Sequence, residues 1–280
     1  MSMTIDFSGK NVLVVGGTSG INRGIAECFA SAGANVAVAS RSEDKVNSTV
    51  GALQALGAQA RGFTCDVRNI EQIQAGIDTV VQAWGELDVL ISGAAGNFPA
   101  LATGMSANGF KSVVDIDLLG TFHVLKVAYP VLKKPGAVIT NISAPQAFLP
   151  MVAQAHVCAA KAGVDMITRC LALEWGPDGI RVNSIVPGPI EGTEGMKRLA
   201  PSTELLEKAK ESVPLKRLGQ SRDIGNMCLF LASDQASYVS GAVIPVDGGW
   251  SLSGASGLGN ELGELFKQIS QADEKNRQHQ

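Results

Sequence analysis

"NVLVVGGTSGINRGIAECFASAGANVAVAS", residues 11–40, decides how the rest of the chain is read. It begins with the unbroken apolar run NVLVV, passes through a glycine-rich turn, continues as an amphipathic stretch ended by Gly33, and closes on a second β-branched run, NVAVAS. A fully apolar run of five or six residues is a strand buried on both faces, which antiparallel hairpins with one wet face do not need. Strand, glycine turn, helix and strand in about 30 residues is one βαβ unit, whose two strands are parallel. The turn GGTSGIN lies at the junction of first strand and first helix. There its backbone N–H groups and the helix N-terminus face an anion, so a dinucleotide pyrophosphate is the expected ligand. Gly16, Thr18, Ser19, Gly20, Ile21 and Asn22 are the candidate contacts.

The alternation continues outward. EDKVNSTVGALQALGA reads as a helix, QARGFTCDV as a strand, NIEQIQAGIDTVVQAWGE as a helix and LDVLISGAA as a fourth strand. A long helical region spans about residues 106–133, with Pro130 predicting a kink or break near its end. GAVITNIS is a fifth strand, AKAGVDMITRCLALEWGP a strong helix closed by Gly176 and Pro177, and IRVNSIVPG and GAVIPVDGG two more strands. The expected fold is a single-domain, Rossmann-like, doubly wound α/β architecture: a seven-stranded parallel sheet with helices on both faces. It spans residues 1–250, with a polar tail at 251–280 carrying one amphipathic patch, ELGELFKQI.

Composition narrows the function. The chain has 280 residues, 45% of them hydrophobic, and a formal net charge of -3. That balance gives no basic surface for nucleic acid and no polybasic membrane patch. The opening apolar run is too short to cross a membrane and no cleavage pattern follows it; the terminal RQHQ is not an SKL-type address. A cytoplasmic protein is expected. Five cysteines without CxxC pairing predict reduced thiols, and no metal site.

At the end of the second strand, the place where NAD-binding folds carry an acid for the ribose hydroxyl, stand Ser40 and Arg41. A hydroxyl and a guanidinium suit a 2′-phosphate, and a cation at a helix N-terminus opposes the dipole, so NADP(H) is favoured over NAD(H). A solvated arginine at a helix start is the competing reading.

Taken together, these motifs resemble the short-chain dehydrogenase/reductase family over about the first 250 residues. Its TGxxxGxG pattern falls here on Val15, Gly16, Gly20 and Asn22. Two positions depart; Asn tolerates left-handed backbone angles better than other non-glycine residues, so the turn is expected to keep its shape. The resemblance places Asp66, followed by Val67, at the adenine. It sets Ser92, Gly93, Ala94 and Ala95 where the family has NNAG. Pro187, Gly188 and Ile190 fall at the nicotinamide amide and Thr193 near the pyrophosphate. It also implies a substrate lid at about residues 191–215, and a homotetramer built on the long helix around Asp117 and the helix near Lys161.

Of the family's catalytic Asn, Ser, Tyr and Lys, only Lys161 stands in its place. The tyrosine position holds Val157, the serine position falls at or near Ala144 beside Ser143, and the asparagine aligns with Asp117. SGAAGNF, DIDLLGTF, PGPIEGTEG and His156 resemble one branch, the 2,4-dienoyl-CoA reductases, closest to the peroxisomal type. The branch implies NADPH reduction of a conjugated acyl thioester, with Asp117 and Lys161 in place of the tyrosine and Ser143 or Asn97 assisting. His156 is a candidate substitute acid or a residue packed at the cleft edge; Asp117 is catalytic, structural or both. Lys197, Arg198 and Lys208 meet CoA phosphates or form a solvated helix face. The rival readings are a short-chain dehydrogenase of another carbonyl or alcohol, and a nucleotide-binding relative without catalysis.

Overall fold

The computed structural model describes residues 5–200 and 202–255. The ELGELFKQI patch lies outside the described residues. Seven parallel strands form one sheet: β1 (Asn11–Val15), β2 (Asn35–Ser40), β3 (Ala60–Thr64), β4 (Val89–Ser92), β5 (Val138–Ile142), β6 (Arg181–Pro187) and β7 (Val243–Val246). Their order is β3-β2-β1-β4-β5-β6-β7. The chain therefore winds one way from β1 to β3, then returns past β1 to start β4 on its other side. The ends of β1 and β4 diverge there, and a ligand crevice opens at that switch point.

The alternation within each strand explains the two layers. In β1, Leu13 and Val15 join one buried cluster, with Ile73, Ile77, Val124 and Leu125. Val12 and Val14 join the other, with Ile25, Phe29, Ile224 and Leu231. Successive side chains point to opposite faces, so both faces need apolar residues. Helices α1 (Gly20–Ser31) and α9 (Ser221–Ala232) cover one face. They meet at small residues: a Cβ on Gly225 would lie 2.4 Å from Cys28 Sγ. Phe29 is fully buried at this layer, worth about 2–3 kcal/mol in apolar transfer. Helices α2 (Glu43–Ala55) and α3 (Ile70–Trp84) complete the first half, each N-capped as an Asx/Ser cap should be: Ser42 accepts from Lys45 N and Asn69 from Gln72 N. β3 is an edge strand and is partly exposed.

The long helical region is interrupted earlier than Pro130 alone predicts. α4 (Ala107–Val113) passes into a π-helical turn, Val114–Leu119, before α5 (Gly120–Ala128); Pro130 then sits in a 3-10 turn, Tyr129–Val131. The wide turn carries Asp117, which is 1% exposed. Single π turns concentrate at functional sites because they rotate one side chain out of the helical register. α6 (Ala155–Glu174) packs against this turn, and α7 (Glu194–Leu199) and α8 (Thr203–Ser212) lie over the crevice.

Candidate active site

A cleft of about 780 Å³ runs along the C-terminal ends of the strands. The glycine turn forms one wall. Gly16 has φ +80°, and a Cβ there would stand 2.9 Å from Ala94 N; Gly20 has φ +51°. Both positions need glycine, one for space as well as angle. The turn is thus a bare-backbone cradle opening onto the N-terminus of α1, the donor set a pyrophosphate requires. Thr18, Ser19, Ile21 and Asn22 line it, and Thr193 closes it from the lid side, 3.6 Å from where a Gly20 Cβ would be. Asn22 corrects one expectation: its φ is not positive, and it is the third residue of α1 in right-handed helix. Its side chain goes to Gly93 O, to which Nδ2 donates at 2.6 Å.

Farther along, Ser40, Arg41, Ser42 and Lys45 line the cleft beside Asp66 and Val67. Ser40 Oγ is buried without a hydrogen-bond partner, and Arg41 forms no hydrogen bond or ion pair with another described residue. Lys45, in the first turn of α2 just beyond Arg41, was not anticipated, because a lone lysine near a helix start carries no spacing signal. The Asp66 carboxyl is held down to about 2, chiefly by hydrogen bonding to Arg68, whose Nη2 lies 2.5 Å away, with Arg41 adding charge. These residues fit a nicotinamide dinucleotide: an amide-lined cradle at the centre and a cationic, hydroxyl-bearing end.

At the other end lie Ala94, Asn97, Asp117, Ser143, Ala144, Val157, Lys161, Pro187, Gly188 and Ile190. Asp117 Oδ1 accepts from Gly96 N at 2.6 Å. Its Oδ2 is 3.3 Å from Lys161 Nζ, a contact close enough for an ion pair but without hydrogen-bond alignment. Lys161 Nζ donates to Ile142 O at 3.1 Å. An ammonium has three N–H groups, so after the carbonyl at least one remains for a ligand on the cleft side. Asp117 thus ties down the loop after β4 through Oδ1 and faces the lysine through Oδ2. Gly188 approaches the chain after β7 so closely that a Cβ would lie 2.6 Å from Asp247 Cα.

Behind this floor is Asp165, one turn after Lys161 on α6 and 4% exposed. Ser184 Oγ donates to its Oδ1 at 2.9 Å. Burial pushes its pKa up, against the pull of Ser143, Ser184, Arg169 and Lys161. Ser143 Oγ reaches the carboxylate electrostatically but meets no strict hydrogen-bond geometry. Sequence reasoning passed over Asp165 because a lone acid in a helix carries no spacing signal.

His156 is not brought to the cleft. It is fully buried, its ring edge-to-face with Phe98 at 4.6 Å between centroids, and neither ring nitrogen has a partner. One residue from the cleft-facing Val157 is about 100° around the helix, which turns His156 beneath the loop after β4. No tyrosine lines the cleft: Tyr129 bonds Asp178 and Tyr238 is exposed. His123 Nδ1 lies 3.0 Å from Val67 O. Of the lid cations, Lys208 lines the cleft while paired to Glu204 at 2.7 Å; Lys197 pairs with Glu194 at 3.0 Å, and the Arg198 side chain is outside the described set. Among the described residues no cluster of His, Cys, Asp and Glu could hold a metal, and no helix is long and apolar enough to cross a membrane.

A parallel seven-stranded sheet with a dinucleotide cradle at its switch point and a buried lysine–aspartate pair at the far end of the cleft is the architecture of a nicotinamide-dependent oxidoreductase. The chain belongs to the short-chain dehydrogenase/reductase family: the family model described as enoyl-(acyl carrier protein) reductase matches residues 15–251. It is 43% identical over 277 residues to a peroxisomal 2,4-dienoyl-CoA reductase, (3E)-enoyl-CoA-producing, of Arabidopsis thaliana, covering 95% of this chain and 92% of that one. A rat protein of the same name is 43% identical over 260 residues, covering 92% and 88%. Among solved structures, a short-chain type dehydrogenase/reductase from Mycobacterium ulcerans superposes with a TM-score of 0.84 at 33% identity, covering 88% of this chain and 91% of that one.

Proposed function

We propose that this oxidoreductase reduces 2,4-dienoyl-CoA thioesters with NADPH. The observation that carries the reading is the buried Asp117–Lys161 pair on the floor of a cleft with no tyrosine. A ketone reductase needs an acid on the carbonyl oxygen, and Val157 offers none. A conjugated thioester does not: charge from hydride addition spreads over a dienolate, and the balancing proton goes to carbon.

A nicotinamide held at this end of the cleft would supply the hydride that the δ-carbon takes up. Lys161 holds it in place with its remaining N–H and keeps a positive charge beside the developing enolate. Asp117 orients a water through Oδ2. That water gives its proton to the α-carbon, Lys161 stabilises the charge left behind, and solvent restores the proton. The 2- and 4-double bonds become one 3-double bond, the product in the names of the plant and rat relatives. Met151, Met196, Leu205 and Ala209 give the acyl chain an apolar wall, and Lys208 stands at the cleft for a CoA phosphate.

The NADPH preference rests on Ser40, Arg41 and Lys45. A homotetramer is supported by exposed apolar residues on the two long helical regions: Leu119 and Phe122 before and within α5, Met166 and Leu173 on α6. The test is loss of NADPH absorbance with 2,4-hexadienoyl-CoA, run beside NADH and a panel of ketones and alcohols. Turnover of the dienoyl thioester alone supports the reading. Turnover of ketones, or NADPH binding without any turnover, overturns it.

A further inference from the structure

Asn22 and Gly93 fit each other as lock and tongue. The Asn22 amide lies flat on Gly93: an ideal Cβ at position 93 would stand 2.4 Å from both Nδ2 and Oδ1. Nδ2 donates to Gly93 O at 2.6 Å, while Oδ1 is buried without a partner. Gly93 has no positive φ, so it is glycine for space and not for backbone angle. The same two segments touch again where Gly16 meets Ala94. Three residues after Gly93, Gly96 N donates to Asp117 Oδ1 at 2.6 Å. The loop leaving β4 is therefore held at one end by the glycine turn and at the other by Asp117.

We infer that Asn22 is a positioning residue: its amide docks the loop after β4 onto the cofactor turn, which sets the NADPH cradle and Asp117 in one register. The inference rests on the NADPH reading above. It explains two departures from the family pattern together, since the side chain missing at Gly93 is supplied from Asn22, across the gap. The amide occupies the volume either residue could fill, but only one of them at a time.

The test is a reciprocal exchange in the full chain: N22G, G93N and N22G/G93N, with G93A as the milder intrusion and N22D as the isostere that cannot donate to Gly93 O. NADPH affinity is read by quenching of protein fluorescence, and stability by thermal unfolding without cofactor. N22G loses one buried hydrogen bond and is expected to weaken NADPH about 5- to 10-fold. N22D does at least as badly. G93N and G93A weaken binding and lower the melting temperature while Asn22 is present, and the N22G/G93N exchange recovers affinity to within about 3-fold, by the same reasoning. A merely structural role would not touch kcat through Asp117. N22G is expected to lower kcat in the parent chain and to lower it no further in D117N. Wild-type affinity in N22G, tolerance of G93N beside Asn22, or additive losses in the exchange would overturn the inference. If the parent chain binds no NADPH, the cofactor reading fails, while the cofactor-free unfolding cycle still decides whether the pair is matched.

Discussion

Asp117→Asn isolates the charge of the site from its shape. An asparagine can still accept from Gly96 N with its Oδ1, so the loop after β4 keeps its anchor. What disappears is the negative charge 3.3 Å from Lys161 Nζ, between side chains 7% and 1% exposed. At that distance and an effective dielectric of about 20, the attraction is about 5 kcal/mol. Part of it is offset because the carboxylate no longer has to be desolvated, so the net loss expected for stripping one partner from a buried pair is about 3–5 kcal/mol. At about 2 °C per kcal/mol for a chain of this length, the melting temperature falls by roughly 6–10 °C. Turnover of hexadienoyl-CoA should fall by about 10²–10⁴, the usual worth of a proton-handling group. The decisive companion is Asp117→Asn with Lys161→Met. Neutralising both partners removes the unpaired buried charge, so stability returns to near the parent value or above it. Activity does not return, because water and cofactor have lost both contacts. Calorimetry and steady-state rates on the three proteins make the comparison. Full turnover in D117N, or turnover recovered with stability in the double variant, would refute the reasoning.

Other outcomes follow from the rest of the molecule. Arg41→Ala should raise the NADPH Kd about 10- to 100-fold, the loss of a charge-assisted contact, and move NADH by less than about 3-fold; equal effects on both would remove Arg41 from the 2′-phosphate. Asp165 has its pKa raised by burial, so its ionised form opposes folding. Stability from this group is therefore greatest below the unfolded carboxyl's pKa and is lost as pH rises through the folded one. Asp165→Asn should raise the melting temperature at pH 7, and the gain should vanish below about pH 4; a lower melting temperature at pH 7 would contradict this. Gly76→Ala would push a Cβ to 2.0 Å from the Phe63 ring, and should cost about 1–3 kcal/mol in denaturant unfolding, where an unchanged midpoint would show the ring is free to move.

The sequence by itself determined the architecture. Short runs rich in apolar and β-branched residues at β1, β2, β4, β5 and β6 point to burial on both faces, and their spacing by helices forces parallel connections and a crevice at the ends of β1 and β4. The glycine turn was legible because backbone angle and close approach restrict Gly16 and Gly20 wherever they sit. Lys161 was legible through the pattern around it. Tertiary structure alone decided the rest, because periodicity says which way a side chain faces but not what distant segment stands opposite. The π-helical turn that swings Asp117 inward leaves no residue signature, and its partner is 44 positions away. His156 looked like a substitute acid on a one-dimensional map, yet one helical step puts it under Phe98, outside the cleft. Asn22 read as a tolerated intruder in a turn; only the fold shows it filling the space left by Gly93, a contact between residues 71 positions apart that no local rule contains.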